Sequence, residues 1–223
     1  MEIKDYIKIS KDNRFVERTL DWYDKNKRDF PWRSVKDPYK IMVAEFLLQK
    51  TNSTKVLSAY KLLIEKYPNV YHLNESNIKD LIDIIRPLGL LKRANMLKKS
   101  SMIIVSKHNG TIPDKLEDLL SLPGIGNYSA NAILCFGYDQ NVPLLDVNIA
   151  RIIRRIFNLP LKIRIESDNN LFKISEEIIN GNLPFNVKKY HYSLIDISAA
   201  LCRPKKVNCI YCPFNNFCLF NKN

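Results

Sequence analysis

Apolar residues recur at intervals of three and four along most of the chain: Phe15, Val16, Thr19, Leu20 and Tyr23; Val56, Tyr60 and Leu63; Leu81, Ile84 and Ile85; Met96, Ile103 and Ile104. That spacing lines one face of an α-helix. Residues 161–166 alternate with the period of a strand, but over so short a stretch that an all-α architecture remains the expectation. Pro68, Pro87, Gly89, Gly110, Pro113, Pro123, Pro160, Gly181 and Pro184 divide the pattern. The resulting segments of about ten to eighteen residues have the length of ordinary globular helices. No internal repeat or low-complexity linker interrupts the series.

Three places break the simple amphipathic rule. Residues 41–48 are apolar nearly all round, which predicts a buried helix, yet they include Glu45 on a face with Ile41, Leu48 and Gln49. A carboxylate in such a place serves either general acid–base work or a structural role, capping amides or pairing with an arginine. Residues 115–135 predict a helix ending near Leu120, a Leu122-Pro123-Gly124-Ile125-Gly126 turn, and a second helix from about Asn127. This is a helix-hairpin-helix. Gly124 and Gly126 are expected to adopt dihedrals closed to other residues and to leave their amides open to a phosphate oxygen. The helix N-terminus behind them adds partial positive charge, and such a contact positions a duplex without reading its sequence. The plain alternative is a tight interhelical turn. Asp146 stands just before a helix carrying Ile149, Ile152, Ile153 and Ile156, where it suits both an N-cap and a carboxylate that stabilises a cationic sugar or activates water. Arg151, Arg154 and Arg155 on that helix either bind phosphates or are solvated.

Composition then narrows the partner. The 223 residues are 46% hydrophobic, contain no run of eighteen apolar residues, and begin without the apolar core of a signal peptide. Neither membrane insertion nor export is expected, so the protein is placed in the cytoplasm. A formal charge of +12 favours a polyanion, although a lysine-rich surface also serves solubility. Four cysteines close the chain as Cys202-x6-Cys209-x2-Cys212-x5-Cys218. In a reducing compartment they read as metal ligands rather than disulfides. One short knuckle with two longer arms fits a cubane iron–sulfur cluster better than the paired knuckles of structural zinc. Cys135, inside an apolar run, reads as a small buried hydrophobe.

With hairpin, aspartate and cysteines in that order, the chain resembles the helix-hairpin-helix DNA glycosylase superfamily. The branch is that of endonuclease III, MutY-type adenine glycosylases and archaeal-type G/T-mismatch thymine glycosylases. Matching stretches span almost the whole length: Phe30-Pro31-Trp32-Arg33, Asp37-Pro38-Tyr39, residues 45–51, Gly89-Leu90, residues 122–131, residues 146–151, and the four cysteines. The resemblance implies a six-helix barrel over residues 30–140 and a second helical domain, from residues 1–29 and 141–223, with a 4Fe-4S cluster on Cys202, Cys209, Cys212 and Cys218. It also implies a monomer that binds double-stranded DNA across the groove between them and flips a mismatched or damaged base out of the stack. Asp146 matches the aspartate that stabilises an oxocarbenium-like sugar and orients water. Glu45 matches the glutamate that protonates adenine in MutY-type enzymes. Lys50 takes the place of the wedge that fills the gap left by the flipped base. Gln49, Leu122, Gly124 and Gly126, and Arg203, Lys205 and Lys206 of the cluster loop, are implied DNA contacts.

Tyr128 occupies the position of the lysine that forms a Schiff base in the endonuclease III branch, and a phenol forms no imine, so base excision without strand cleavage is expected. Two features favour thymine or uracil opposite guanine. The chain stops five residues after Cys218, without the further domain usual in adenine glycosylases, and Gln49-Lys50-Thr51 places a cation where those enzymes have a second glutamine. Val147 departs from the glycine of the adenine enzymes and from the alanine of the thymine branch. Excision of adenine opposite guanine or 8-oxoguanine, and a catalytically silent DNA-damage binder, are the alternatives.

Overall fold

Helices begin where a short polar side chain folds back onto backbone amides. Asp37 accepts from the N–H groups of Tyr39 and Lys40, Asn52 from Thr54, Asn69 from Tyr71 and His72, Asn77 from Lys79, and Asn186 from Lys189. Each satisfies amides that the first turn leaves without an internal partner. Asn109, Asp139 and Asn158 end three of the helices in the left-handed conformation. The computed structural model describes residues 13–89, 91–160, 165, 168–180 and 186–221. Among them regular structure is helical, with one isolated bridge between Cys202 and Val207. Apart from Ile165, the alternating stretch 161–166 lies outside the described residues, as do Leu90, Gly181 and Pro184. No helix among the described residues is long and apolar enough to cross a membrane.

The chain forms two compact units, Asp29–Gln140 and Met1–Arg28 with Asn141–Asn223. The first contains α2 (Pro38–Leu48), α3 (Ser53–Lys66), α4 (Val70–Glu75), α5 (Ile78–Ile85), α6 (Lys92–His108), α7 (Leu116–Leu120) and α8 (Asn127–Tyr138). At its centre lies α2, where Ile41, Met42, Val43, Ala44, Phe46 and Leu47 are each at most 1% exposed. Helix α8 packs along it so closely that a Cβ on Gly137 would sit 2.9 Å from the Pro38 Cα. Fully burying one such aliphatic side chain contributes about 1.5–3 kcal/mol, so this contact dominates the unit.

The second unit contains α1 (Asn13–Asn26), α9 (Val147–Phe157), α10 (Asn169–Asn180) and α11 (Val187–Ala200). Helix α11 packs on both α1 and α9, and Phe15 joins them through ring contacts with Phe157, Tyr190 and Phe214. Its polar groups are tied individually. Arg28 donates its backbone N–H and Nε to the buried Asp196 carboxylate at 3.0 and 2.6 Å, and Arg154 pairs with buried Asp168 at 2.9 Å.

His191 of α11 is 1% exposed and donates its Nε2–H to the Val142 carbonyl at 3.0 Å, while Nδ1 has no hydrogen-bond partner among the described residues. Burial pulls its pKa from the ordinary 6.5 down to about 4, opposed by the bond to Val142. Since the unfolded chain takes up the proton first, the fold is at full strength above about pH 6.5. It weakens as pH falls toward 4, by up to ~3 kcal/mol. Urea unfolding should therefore show a smaller loss between pH 7 and pH 4.5 in His191→Gln than in the parent; an equal loss in both would contradict this origin.

Candidate functional site

The hairpin after α7 is built from inward-facing carbonyls. Ser100 Oγ donates to the Pro123 carbonyl at 3.0 Å, Gln49 Nε2 donates to the Gly124 carbonyl at 2.8 Å, and the Ile125 N–H closes the turn onto Leu122. No peptide bond among the described residues is cis. In a trans peptide the C=O and the next N–H point oppositely, so turning Pro123 C=O inward turns the Gly124 N–H away from the core. Gly124 has φ +86°, and a Cβ there would lie 2.9 Å from both Met96 Sδ and Phe46 Cε1, so conformation and space both require glycine. Gly126 corrects the sequence reading: its φ of −106° is open to any residue, and a Cβ would meet nothing within 4 Å. What glycine leaves at Gly126 is open surface in front of α8. Leu122 is a second correction, because its side chain is 2% exposed and belongs to the core.

The same unit carries Glu45, Gln49, Lys50 and Tyr128. Glu45 is 7% exposed on the buried helix α2, and Tyr128 is half-buried in the first turn of α8. Gln49 is half-buried and committed to Gly124, while the next residue, Lys50, is exposed and left-handed at φ +53°. A non-glycine residue in that region stores about 1–3 kcal/mol of strain, which surrounding structure has to hold.

In the other unit Asp146 caps α9. Its Oδ1 accepts from the N–H groups of Asn148 and Ile149 at 2.9 and 2.8 Å, and its Oδ2 accepts from Asn148 Nδ2 at 2.7 Å. The neighbouring Val147 is 67% exposed. Asn148 Oδ1 in turn accepts from Arg151 Nη1 at 3.1 Å, and Arg151 Nε donates to the Cys202 carbonyl at 2.9 Å. Arg155, one turn on, donates to the carbonyls of Arg203 and Pro204 and approaches Cys202 Sγ at 3.3 Å. Neither phosphate binding nor free solvation describes these arginines: Arg151 and Arg155 anchor the cysteine loop, and Arg154 is buried against Asp168. Burial lowers the Arg151 pKa, and the Cys202 side chain opposes that shift.

Cys202, Cys209, Cys212 and Cys218 are all free thiols lining one apolar pocket with Ile152 and Phe214. Among the described residues no three His, Cys, Asp or Glu side chains are gathered so as to hold a metal ion. Burial, with the neighbouring Cys202, Cys218 and Cys209 adding to it, pushes the Cys212 thiol up to about 12. Four thiolates here need a cationic group among them, and four sulfurs around one cavity are a donor set that fits an iron–sulfur cluster. Arg203, Lys205 and Lys206 stand exposed on the adjoining loop. Cys135 is 1% exposed in α8 and belongs to the unit that does not carry the cysteine loop.

Sequence reading missed Asn148, Arg93 and His191. Arg93 alone left a local sign, since it shares a helical face with Leu97, Ser100 and Ile104.

The profile of the HhH-GPD superfamily base excision DNA repair proteins matches residues 43–179. Over 211 residues, 93% of this chain and 91% of the relative, the sequence is 33% identical to a thymine/uracil-DNA glycosylase of Pyrobaculum aerophilum. Over 207 residues it is 32% identical to an adenine DNA glycosylase of Buchnera aphidicola subsp. Acyrthosiphon pisum, covering 92% of this chain and 58% of that relative. The fold matches the solved structure of a thermostable thymine-DNA glycosylase with a TM-score of 0.87, at 26% identity over 98% of both chains.

Arg155→Met should free the cysteine loop from α9. Losing ~1.4 kcal/mol of hydrogen bonding would make tryptic cleavage at Lys205 and Lys206 about tenfold faster. An unchanged cleavage rate would show that the loop is held by other means.

Proposed function

Since the chain belongs to the HhH-GPD superfamily of base excision DNA repair proteins, we propose that it is a monofunctional DNA glycosylase. Its reaction is hydrolysis of the N-glycosidic bond of thymine or uracil mispaired with guanine. The observation that carries this reading is Asp146, a half-buried carboxylate oriented by three N–H donors at the head of α9. A negative charge fixed in place before the reaction stabilises positive charge developing on deoxyribose, and needs no reorganisation as the base departs. Water then adds to the sugar carbon as the pyrimidine leaves with the bonding electron pair, and the proton that the water gives up ends on the departed pyrimidine anion. Such an anion needs no protonated purine nitrogen, so Glu45 serves to hydrogen-bond the base or the water. Tyr128 offers no amine for a Schiff base, and this supports excision without strand cleavage.

Extrusion of the base is required because the bond is out of reach inside the stack. Lys50 would fill the vacated space, and the Gly124 amide with Arg203, Lys205 and Lys206 would hold backbone phosphates. Cys202, Cys209, Cys212 and Cys218 would hold a 4Fe-4S cluster, which supplies structural cross-linking of the basic loop when bound. Similarity to thymine and thymine/uracil glycosylases in sequence, and to a thermostable thymine-DNA glycosylase in fold, favours pyrimidine over adenine. Adenine opposite guanine or 8-oxoguanine is the second reading, favoured by the likeness to adenine glycosylases and by Glu45 on its buried helix. The enzyme would act as a monomer on cytoplasmic DNA.

Labelled duplexes carrying T opposite G, U opposite G, or A opposite 8-oxoguanine test the assignment. Excision at the first two, with breaks appearing only after hot alkali, is expected; scission without alkali would contradict the role given to Tyr128. Asp146→Asn keeps an equally good N-cap. Only the bond from the Asn148 side chain is lost, so the unfolding free energy should fall by about 1 kcal/mol while single-turnover excision falls at least ~100-fold. For the cluster, broad visible absorption and bound iron and sulfide should appear in the purified protein and be lost in Cys212→Ser; a colourless parent that holds zinc would overturn the cluster assignment.

A further inference from the structure

The most deeply buried charge in the first unit is Arg93, 1% exposed at the start of α6. Its Nη1 donates to the carbonyls of Leu47 at 2.5 Å, Gln49 at 3.2 Å and Phe46 at 3.5 Å, and to Thr51 Oγ1 at 3.1 Å. Its Nη2 donates to the carbonyls of Leu88 and Gly89 at 3.0 and 2.9 Å. These acceptors are neutral, and taking an ion out of water costs several kcal/mol. The compensation comes from where they lie. Phe46 and Leu47 contribute the partly negative carbonyls at the C-terminal end of α2, which favour a cation. Gln49 and Thr51 flank Lys50.

Lys50 is the residue whose left-handed backbone needs outside support. The Thr51 N–H bonds the Leu48 carbonyl, and Gln49 reaches across to Gly124, while among the described residues the Gln49 carbonyl is held by Arg93 and the Thr51 hydroxyl, which Arg93 also contacts. A lysine has one point of attachment and cannot bridge the two carbonyl sets as a planar fork does. We propose that Arg93 is a positioning residue for base extrusion, its guanidinium locking the Gln49-Lys50-Thr51 turn so that the Lys50 side chain projects as the wedge. It touches no reacting atom. The inference rests on the glycosylase reading above and on Lys50 as the wedge, and it predicts a defect in opening the duplex rather than in breaking the glycosidic bond.

Two substrates separate these steps: uracil paired opposite guanine, and uracil opposite an abasic gap, where no partner base has to be kept apart. In Arg93→Lys, single-turnover excision should fall about tenfold or more on the paired substrate and within about twofold on the gapped one. A 2-aminopurine beside the uracil should lose its fluorescence rise on binding. Lys50→Ala, at an exposed position, should give the same pattern with an unchanged melting temperature, and adding Arg93→Lys to it should cost little more. Thr51→Val, which removes one acceptor, gives a milder form of the defect if Arg93→Lys does not fold. Equal losses on both substrates, or a lower melting temperature with parental kinetics, would reduce Arg93 to a structural role. A selective loss in Lys50→Ala with none in Arg93→Lys or Thr51→Val would overturn the Arg93 proposal alone. No effect of Lys50→Ala on either substrate would instead remove the wedge reading, and excision of uracil from neither substrate by the parent would remove the glycosylase reading.

Discussion

A carboxylate held by the first amides of a helix is the interaction from which the functional account grows. At the head of α9, Asp146 has its oxygens directed by the Asn148 and Ile149 N–H groups and by the Asn148 side chain. The same bonds that start the helix fix the direction of the charge. Structure and chemistry therefore make one demand on this residue, and a capping residue of ordinary stability becomes a preorganised electrostatic group.

Helix α9 extends that constraint to the end of the chain. Its apolar face, with Ile149, Ile152, Ile153 and Ile156, is buried, and Arg151 and Arg155 leave it toward the cysteine loop. Asn148 links the Asp146 carboxylate to Arg151, so four consecutive polar groups run from the candidate catalytic oxygen to the Cys202 carbonyl. In the other unit the corresponding organiser is α2. It buries Glu45, packs under the hairpin through Phe46, and ends in carbonyls gathered by Arg93. Both units use guanidinium groups to tie down loops that carry exposed cations, Lys50 in one and Lys205 and Lys206 in the other.

Local features were legible in the sequence. The hairpin lies between helices ending at Leu120 and starting at Asn127, Asp146 is an N-cap, the helix around Glu45 is buried, and Cys135 is core. Each depends on neighbours within a turn or two, where spacing and residue type decide the outcome. The misreadings share the opposite property. Arg151 and Arg155 read as phosphate ligands or solvated side chains because their acceptors are about fifty positions away in the chain, and His191 is likewise tied to Val142. Gly126 looked like a dihedral requirement, although only close approach distinguishes it from another residue, a property of the space in front of it. Arg93 was passed over because a charged residue on an apolar helical face is informative only once the carbonyls it meets are known.

The central claim is that Asp146 opposes positive charge on a sugar, and affinity for a charged sugar mimic tests it most directly. A duplex with a pyrrolidine nucleotide opposite guanine carries a cation near the reacting carbon, whereas its tetrahydrofuran counterpart is neutral. The account predicts that the wild-type protein binds the charged duplex at least ~100-fold more tightly, and that Asp146→Asn loses most of this preference. Equal affinity of the wild-type protein for the two duplexes, or a preference untouched by the substitution, would contradict it.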